Sequence, residues 1–121
     1  VWFCGAHANV GGGYADNSLS DIPLRWMANK AMECGLELNP KKIPRPPNAL
    51  PEITDSYQDF LGGTYRLLNA RYFRPIGKTC FGQECIDDTV QQRVITVSNY
   101  RPKNHVDVYL AGAYKPVNKI C

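Results

Sequence analysis

The sequence has no apolar run approaching the ~20 residues that a bilayer-spanning helix requires, so no membrane span is expected. It lacks a strong excess of either charge. Fourteen Lys and Arg stand against eleven Asp and Glu, a net +3, too mild and too scattered for a nucleic-acid partner. There is no GxxxxGK[ST] and no GxGxxG following a strand, which removes the usual phosphate cradles. There is no GxSxG either, and none of Ser18, Ser20, Ser56 or Ser98 sits at a strand-to-helix elbow. No CxxC occurs. The five cysteines (Cys4, Cys34, Cys80, Cys85 and Cys121) are odd in number and widely spread, unlike a dense secreted disulfide framework. The reading favours thiols for them, with a small Cys80–Cys85 loop as the oxidised alternative. Cys80, Cys85 and His105 lack a fourth ligand and matched spacing, so neither a metal nor any other cofactor is expected.

The start also lacks an initiator Met, a basic leader and a leader-like apolar stretch. Val1-Trp2-Phe3-Cys4 opens inside a strand-like apolar run, so the expectation is the C-terminal part of a longer protein. With 121 residues and 44% hydrophobic composition, one domain or a piece of one is expected.

What is present reads as an α/β unit. Residues 1–4 suit the end of a buried parallel strand, β-branched and aromatic without alternation. That strand has no obvious neighbour in the chain, and an exposed edge would make residues 1–121 poorly stable alone. Residues 5–14 hold four glycines in ten and read as a loop. Residues 18–34 carry the clearest helix. Ser20 or Asp21 caps it, Pro23 suits its first turn, and Gly35 stops it. Leu24, Met27, Ala28, Ala31 and Met32 recur at helical spacing and are expected to face inward.

Five prolines within residues 38–51, interleaved with Lys41, Lys42 and Arg45, predict an extended surface connection. Residues 53–69 suit a second helix weakened by Gly62-Gly63, and 71–75 a short extended stretch ending in a turn. Residues 87–94 suit a helix begun by Asp87 or Asp88, although 93–97 equally fit a strand. Residues 106–110 suit an edge strand, followed by a surface tail. Arg71, Arg74, Lys78, Arg93, Arg101 and Lys103 are expected on a solvated face. Trp26, Phe60, Tyr65, Tyr72 and Phe73 are expected to pack in or beside the core.

Chemistry points first to His7. A histidine on the loop past a sheet strand sits where α/β proteins place catalytic groups, and imidazole shuttles protons near neutrality. The alternative is a histidine that merely ties the loop. Gly11, Gly12 and Gly13 are expected to supply positive-φ positions and close backbone approach beside it.

Residues 1–14, Val-Trp-Phe-Cys-Gly-Ala-His-Ala-Asn-Val-Gly-Gly-Gly-Tyr, and the later Leu19-Ser20-Asp21-Ile22-Pro23-Leu24-Arg25-Trp26-Met27 carry a resemblance. Together they resemble the α/β-hydrolase family that includes type VI secretion phospholipase effectors and many bacterial and fungal proteins. The family pattern runs V-W-F-x-G-x-H-x-D-V-G-G-G-Y, then L-x-x-I-x-L-x-W-M. Asp55-Ser56-Tyr57 and Tyr100-Arg101-Pro102 are similar to later pieces of it.

The resemblance implies an α/β fold, here the C-terminal fragment of an α/β-hydrolase. Residues 1–37 would be the last core strand, histidine loop and packing helix. Residues 38–52 would be the Pro-rich connection, and 53–121 a helical or irregular extension of the same domain. His7 matches the catalytic histidine of a Ser-Asp-His triad, whose serine and acid would lie upstream of Val1. Gly5, Asn9, Gly11, Gly12 and Gly13 would shape the active site. Asn9 departs from the pattern, which has Asp there; Cys4 replaces a small residue or proline. The implied partners are an ester or phospholipid substrate and the upstream part of the same domain, with peripheral membrane contact and no nucleic acid. A cytoplasmic location or delivery by a secretion system would follow. A catalytically inactive binding module is the alternative, and a free-standing disulfide-stapled domain a third.

Overall fold

Trp2 finds its partner far along the chain, at Ile86. In the computed structural model, which describes residues 1–59, 62, 64, 67, 70–77, 84–104, 106 and 110, the two form an isolated parallel bridge. The Trp2 N–H donates to the Cys85 carbonyl at 2.7 Å, and the Asp87 N–H donates to the Trp2 carbonyl at 3.0 Å. The indole Nε1 of Trp2 donates to Glu84 Oε2 at 2.5 Å, and the Gly77 N–H reaches the same oxygen at 2.9 Å. The chain therefore does supply the opening segment with a neighbour, contrary to expectation.

The chain divides into two units. One joins Val1–Phe3 to Ser56–Cys121 and holds this bridge. The other, Cys4–Asp55, holds α1 (His7–Gly11) and α2 (Asp21–Glu33), and the helices of the bridge-bearing unit are α3 (Ser56–Asp59) and α4 (Asp88–Thr96). Asp87 caps α4: its side chain accepts from the Thr89 N–H at 3.0 Å and from the Thr89 hydroxyl. That is the Asx cap that satisfies a first-turn donor. The helix then runs through Thr96, so the strand alternative at 93–97 does not form. Ile86, Val90 and Val106 are buried here. Val106 and Leu110 have helical backbone rather than the expected edge strand.

Arg93 is the clearest departure in this unit. It is buried, not solvated, with its guanidinium over the Tyr100 ring at 5.9 Å. A long aliphatic stem and a delocalised cation can be covered by packing in this way. Arg71 lies over Tyr57 at 4.6 Å and is exposed, as are Arg74, Arg101 and Lys103. Tyr72 is also exposed, at 78%, so it is not core; Phe73 is half-buried. Cys85 is disulfide-bonded, which overturns the thiol reading there, whereas Cys4 and Cys34 are thiols. Phe60, Tyr65, Lys78, Cys80, His105 and Cys121 lie outside the described residues.

The second unit holds α1 (His7–Gly11) and α2 (Asp21–Glu33), which pack on each other. Ser20 precedes α2 with helical φ and ψ, so its hydroxyl makes no cap bond and donates back to the Asn17 carbonyl at 3.1 Å. Pro23 falls in the first turn, where a missing N–H costs little. The end is a Schellman motif. The Leu36 N–H reaches the Ala31 carbonyl at 3.0 Å, the Gly35 N–H reaches Met32 at 2.9 Å, and Gly35 has φ +91°.

The covered side of α2 holds buried Pro23 and half-buried Trp26, with buried Leu19 in the turn just before the helix. Leu24 and Met27, expected inside, are 55% and 60% exposed. A helix turns about 100° per residue, so a stripe displaced by one position faces elsewhere. Beyond α2, Asn39 caps a single 3-10 turn, Pro40–Lys42, and the rest of the Pro-rich stretch is irregular as expected. Among the described residues no helix is long and apolar enough to cross a membrane.

Candidate functional site

The segment around His7 is not an open loop. Ala6 has extended backbone, and its N–H donates to Asn9 Oδ1 at 3.0 Å. That reach-back holds the first turn of α1, since five residues make too short a helix to persist on propensity alone. The Val10 N–H bonds the Ala6 carbonyl and the Gly12 N–H bonds that of Ala8, each at 3.1 Å. Gly12, with φ +85°, then ends the helix.

Two residues fit each other tightly. Asn9 is 2% exposed, and a Cβ on Gly5 would stand 2.3 Å from Asn9 Cβ and 2.7 Å from its Cγ. Gly5 also has φ +99°, a conformation that L side chains rarely adopt. Glycine is therefore required there twice over, by backbone and by space. The acceptor oxygen that Asn9 uses is one that aspartate would also offer. An amide meets the need without placing a charge in a buried position.

His7 stands on the other side of this arrangement. It is the first residue of α1, exposed, and its imidazole has no hydrogen-bond partner among the described residues. His7 and Asn9 are two apart on a helix and do not share a face. The structure thus places His7, Asn9 and Gly11 on one short helix, with Gly5 before it and Gly12 and Gly13 after it, but splits their surroundings. His7 faces solvent, while Asn9 and Gly5 lock the backbone beneath it. Of the three consecutive glycines, Gly12 and Gly13 have positive φ (+85° and +117°), whereas Gly11 closes α1 without one. A Cβ on Gly12 would make only ordinary contact with Ser20 Oγ, at 3.8 Å.

Further on, Asp16 Oδ1 accepts from the Ser18 N–H at 2.9 Å, and the bonds from Ser18 hold its carboxyl below the ordinary range. This turn leads directly into α2. Tyr14, beside the glycines, has a buried hydroxyl with no hydrogen-bond partner among the described residues. Sequence reasoning named Asn9 as a shaping residue but missed its partner, the Ala6 N–H, and it missed this hydroxyl altogether. A buried amide acceptor two residues after His7 leaves no trace in periodicity, though the capping-type spacing from Ala6 to Asn9 is a weak signal. Among the described residues no group of three or more His, Cys, Asp or Glu is placed to hold a metal ion.

No curated protein and no solved structure matches the chain. A family model for the catalytic domain of T6SS Tle1-like phospholipase effectors matches residues 1–30, the stretch that contains α1, its glycine frame and most of α2.

Proposed function

We propose that the chain supplies the general-base histidine, His7, to an α/β-hydrolase that cleaves ester bonds in phospholipid through a serine nucleophile. The observation that carries this reading is the coincidence of the phospholipase-domain match over residues 1–30 with an exposed imidazole on a braced turn. His7 would take the proton from a serine hydroxyl as it attacks the acyl carbon, and return it to the leaving alcohol. Serine and acid would come from outside residues 1–121. Gly5, Asn9 and Gly12 would position the turn, with Gly11 and Gly13 shaping its rim.

The test uses the full-length protein, with a soluble ester and a phospholipid as substrates. Replacing His7 with Ala is expected to lower kcat about 10⁴-fold or more with the far-UV circular dichroism unchanged. Retention of more than a tenth of the wild-type rate overturns the assignment. A second reading, an inactive hydrolase-like binding module, draws on the same imidazole, which lacks an orienting carboxylate among the described residues, and on Asn9. Full-length wild type that folds but cleaves neither substrate would favour it.

A further inference from the structure

The stretch from Leu36 to Arg45 follows the end of α2. Its backbone is well determined by local bonds. Gly35 terminates the helix, the Asn39 side chain accepts from the Lys41 N–H at 3.0 Å, and the Lys42 N–H returns to the Asn39 carbonyl at 2.9 Å. Pro40 and Pro44 restrict φ within this stretch, and Pro46 and Pro47 follow directly, which lowers the entropy lost on docking.

The side chains on this scaffold are of two kinds. Leu36 and Leu38 are exposed, at 55% and 36%. Lys41, Lys42 and Arg45 are exposed as well, and none makes an ion pair or side-chain hydrogen bond among the described residues. Against these three cations the stretch holds one carboxylate, Glu37. A single exposed leucine is ordinary on a soluble surface, whereas soluble surfaces normally intersperse opposite charges; here two exposed leucines adjoin three cations with one carboxylate between them.

We propose that residues 36–45 dock on an anionic phospholipid surface, with Lys41, Lys42 and Arg45 at the headgroups and Leu36 and Leu38 in the interfacial layer. Charge complementarity and interleaved aliphatic side chains together select this occupant. A single-stranded nucleic acid would call for aromatic stacking platforms, and residues 36–50 contain no Phe, Trp or Tyr. The inference rests on the phospholipid-hydrolase reading for its purpose, because an enzyme of that kind must meet its substrate at an interface.

The test is co-sedimentation of the full-length protein with vesicles of dialkyl-ether phosphatidylglycerol and phosphatidylcholine, which no esterase can cleave. Pure phosphatidylcholine ether vesicles serve as the neutral comparison. Each cation near an anionic surface strengthens binding about fivefold, so K41Q/K42Q/R45Q should weaken binding to the mixed vesicles about a hundredfold. High salt should do much the same to wild type. Leu36→Ser with Leu38→Ser should weaken binding to both vesicle types. Equal binding by wild type and the triple glutamine variant overturns the proposal, as does wild type that binds RNA or polyglutamate and ignores the vesicles. A protein that cleaves no ester yet binds these vesicles with the expected charge dependence removes the hydrolase reading and leaves this one standing.

Discussion

At the scale of single residues, the most constrained position is Gly5. Its φ of +99° and the 2.3 Å separation between a Cβ there and Asn9 Cβ act in the same direction. Left-handed backbone alone costs a β-carbon about 1–2 kcal/mol, and the clash with a buried neighbour adds to it. Gly5→Ala should lower stability by about 2–4 kcal/mol in urea denaturation; a loss under 0.5 kcal/mol would show that the turn is not held as described. Asn9→Ala leaves the Ala6 N–H without its acceptor, and should cost about 1–3 kcal/mol. If Asn9 serves only as this brace, hydrolysis should fall no further than stability explains. Asp16 gives a pH signature. Its carboxyl is held below its ordinary value by the bonds from Ser18, so the folded chain binds that proton less readily than the unfolded one. The contribution is therefore present above the unfolded carboxylate range and vanishes as pH falls through the depressed value. Acid melts of wild type and Asp16→Asn should differ at neutral pH and converge in acid. A difference that grows on acidification has the wrong sign.

At the scale of elements, the helix ends were legible and the helix faces were not. Asp87 and Gly35 act on backbone groups within a few residues, so their roles can be read locally, and both sit where expected. Replacing either with Ala should cost about 1 kcal/mol of stability, through the lost cap bond at 87 and the left-handed backbone at 35. A melting temperature unchanged by Asp87→Ala would mean that α4 is held by its buried Val90 and Arg93 without the cap. Which side of α2 is covered depends on what lies against it, and periodicity could not choose between Leu24 with Met27 and Pro23 with Trp26. Ser20 shows the same limit, because a cap residue whose own backbone turns helical no longer points its hydroxyl at the helix. The candidate site divides likewise. His7 and the glycines stand out as residue types, but a run of glycine concealed a helical turn whose cause is one side chain, Asn9, folding back on Ala6.

At the scale of the molecule, the partner of the first residues was out of reach of any local rule, since Trp2 meets Glu84, Cys85 and Ile86 more than eighty residues on. Of the strand-like run 1–4 only Trp2 makes a bridge, and its neighbour reads in isolation as a short apolar spot before a helix cap. The disulfide at Cys85 sits beside this meeting point, within the unit that joins Val1–Phe3 to Ser56–Cys121. The chain holds two tryptophans, and each lies in a different unit: Trp2 in that one, Trp26 in Cys4–Asp55. Fluorescence of Trp26→Phe therefore reports the disulfide-bearing unit, and fluorescence of Trp2→Phe the unit around His7. A disulfide stabilises by restricting the unfolded chain, typically by about 2–4 kcal/mol. Adding a thiol reductant should thus shift the urea midpoint seen through Trp2 to lower denaturant. The midpoint seen through Trp26 should move much less, because the cysteines described in its unit, Cys4 and Cys34, are thiols in the folded state. Cys85→Ser should reproduce the reductant's effect on the Trp2 signal and abolish any further response to it. Equal shifts in both signals would mean that the two units unfold as one, and the stability of the His7 turn would then depend on the disulfide at Cys85, far along the sequence.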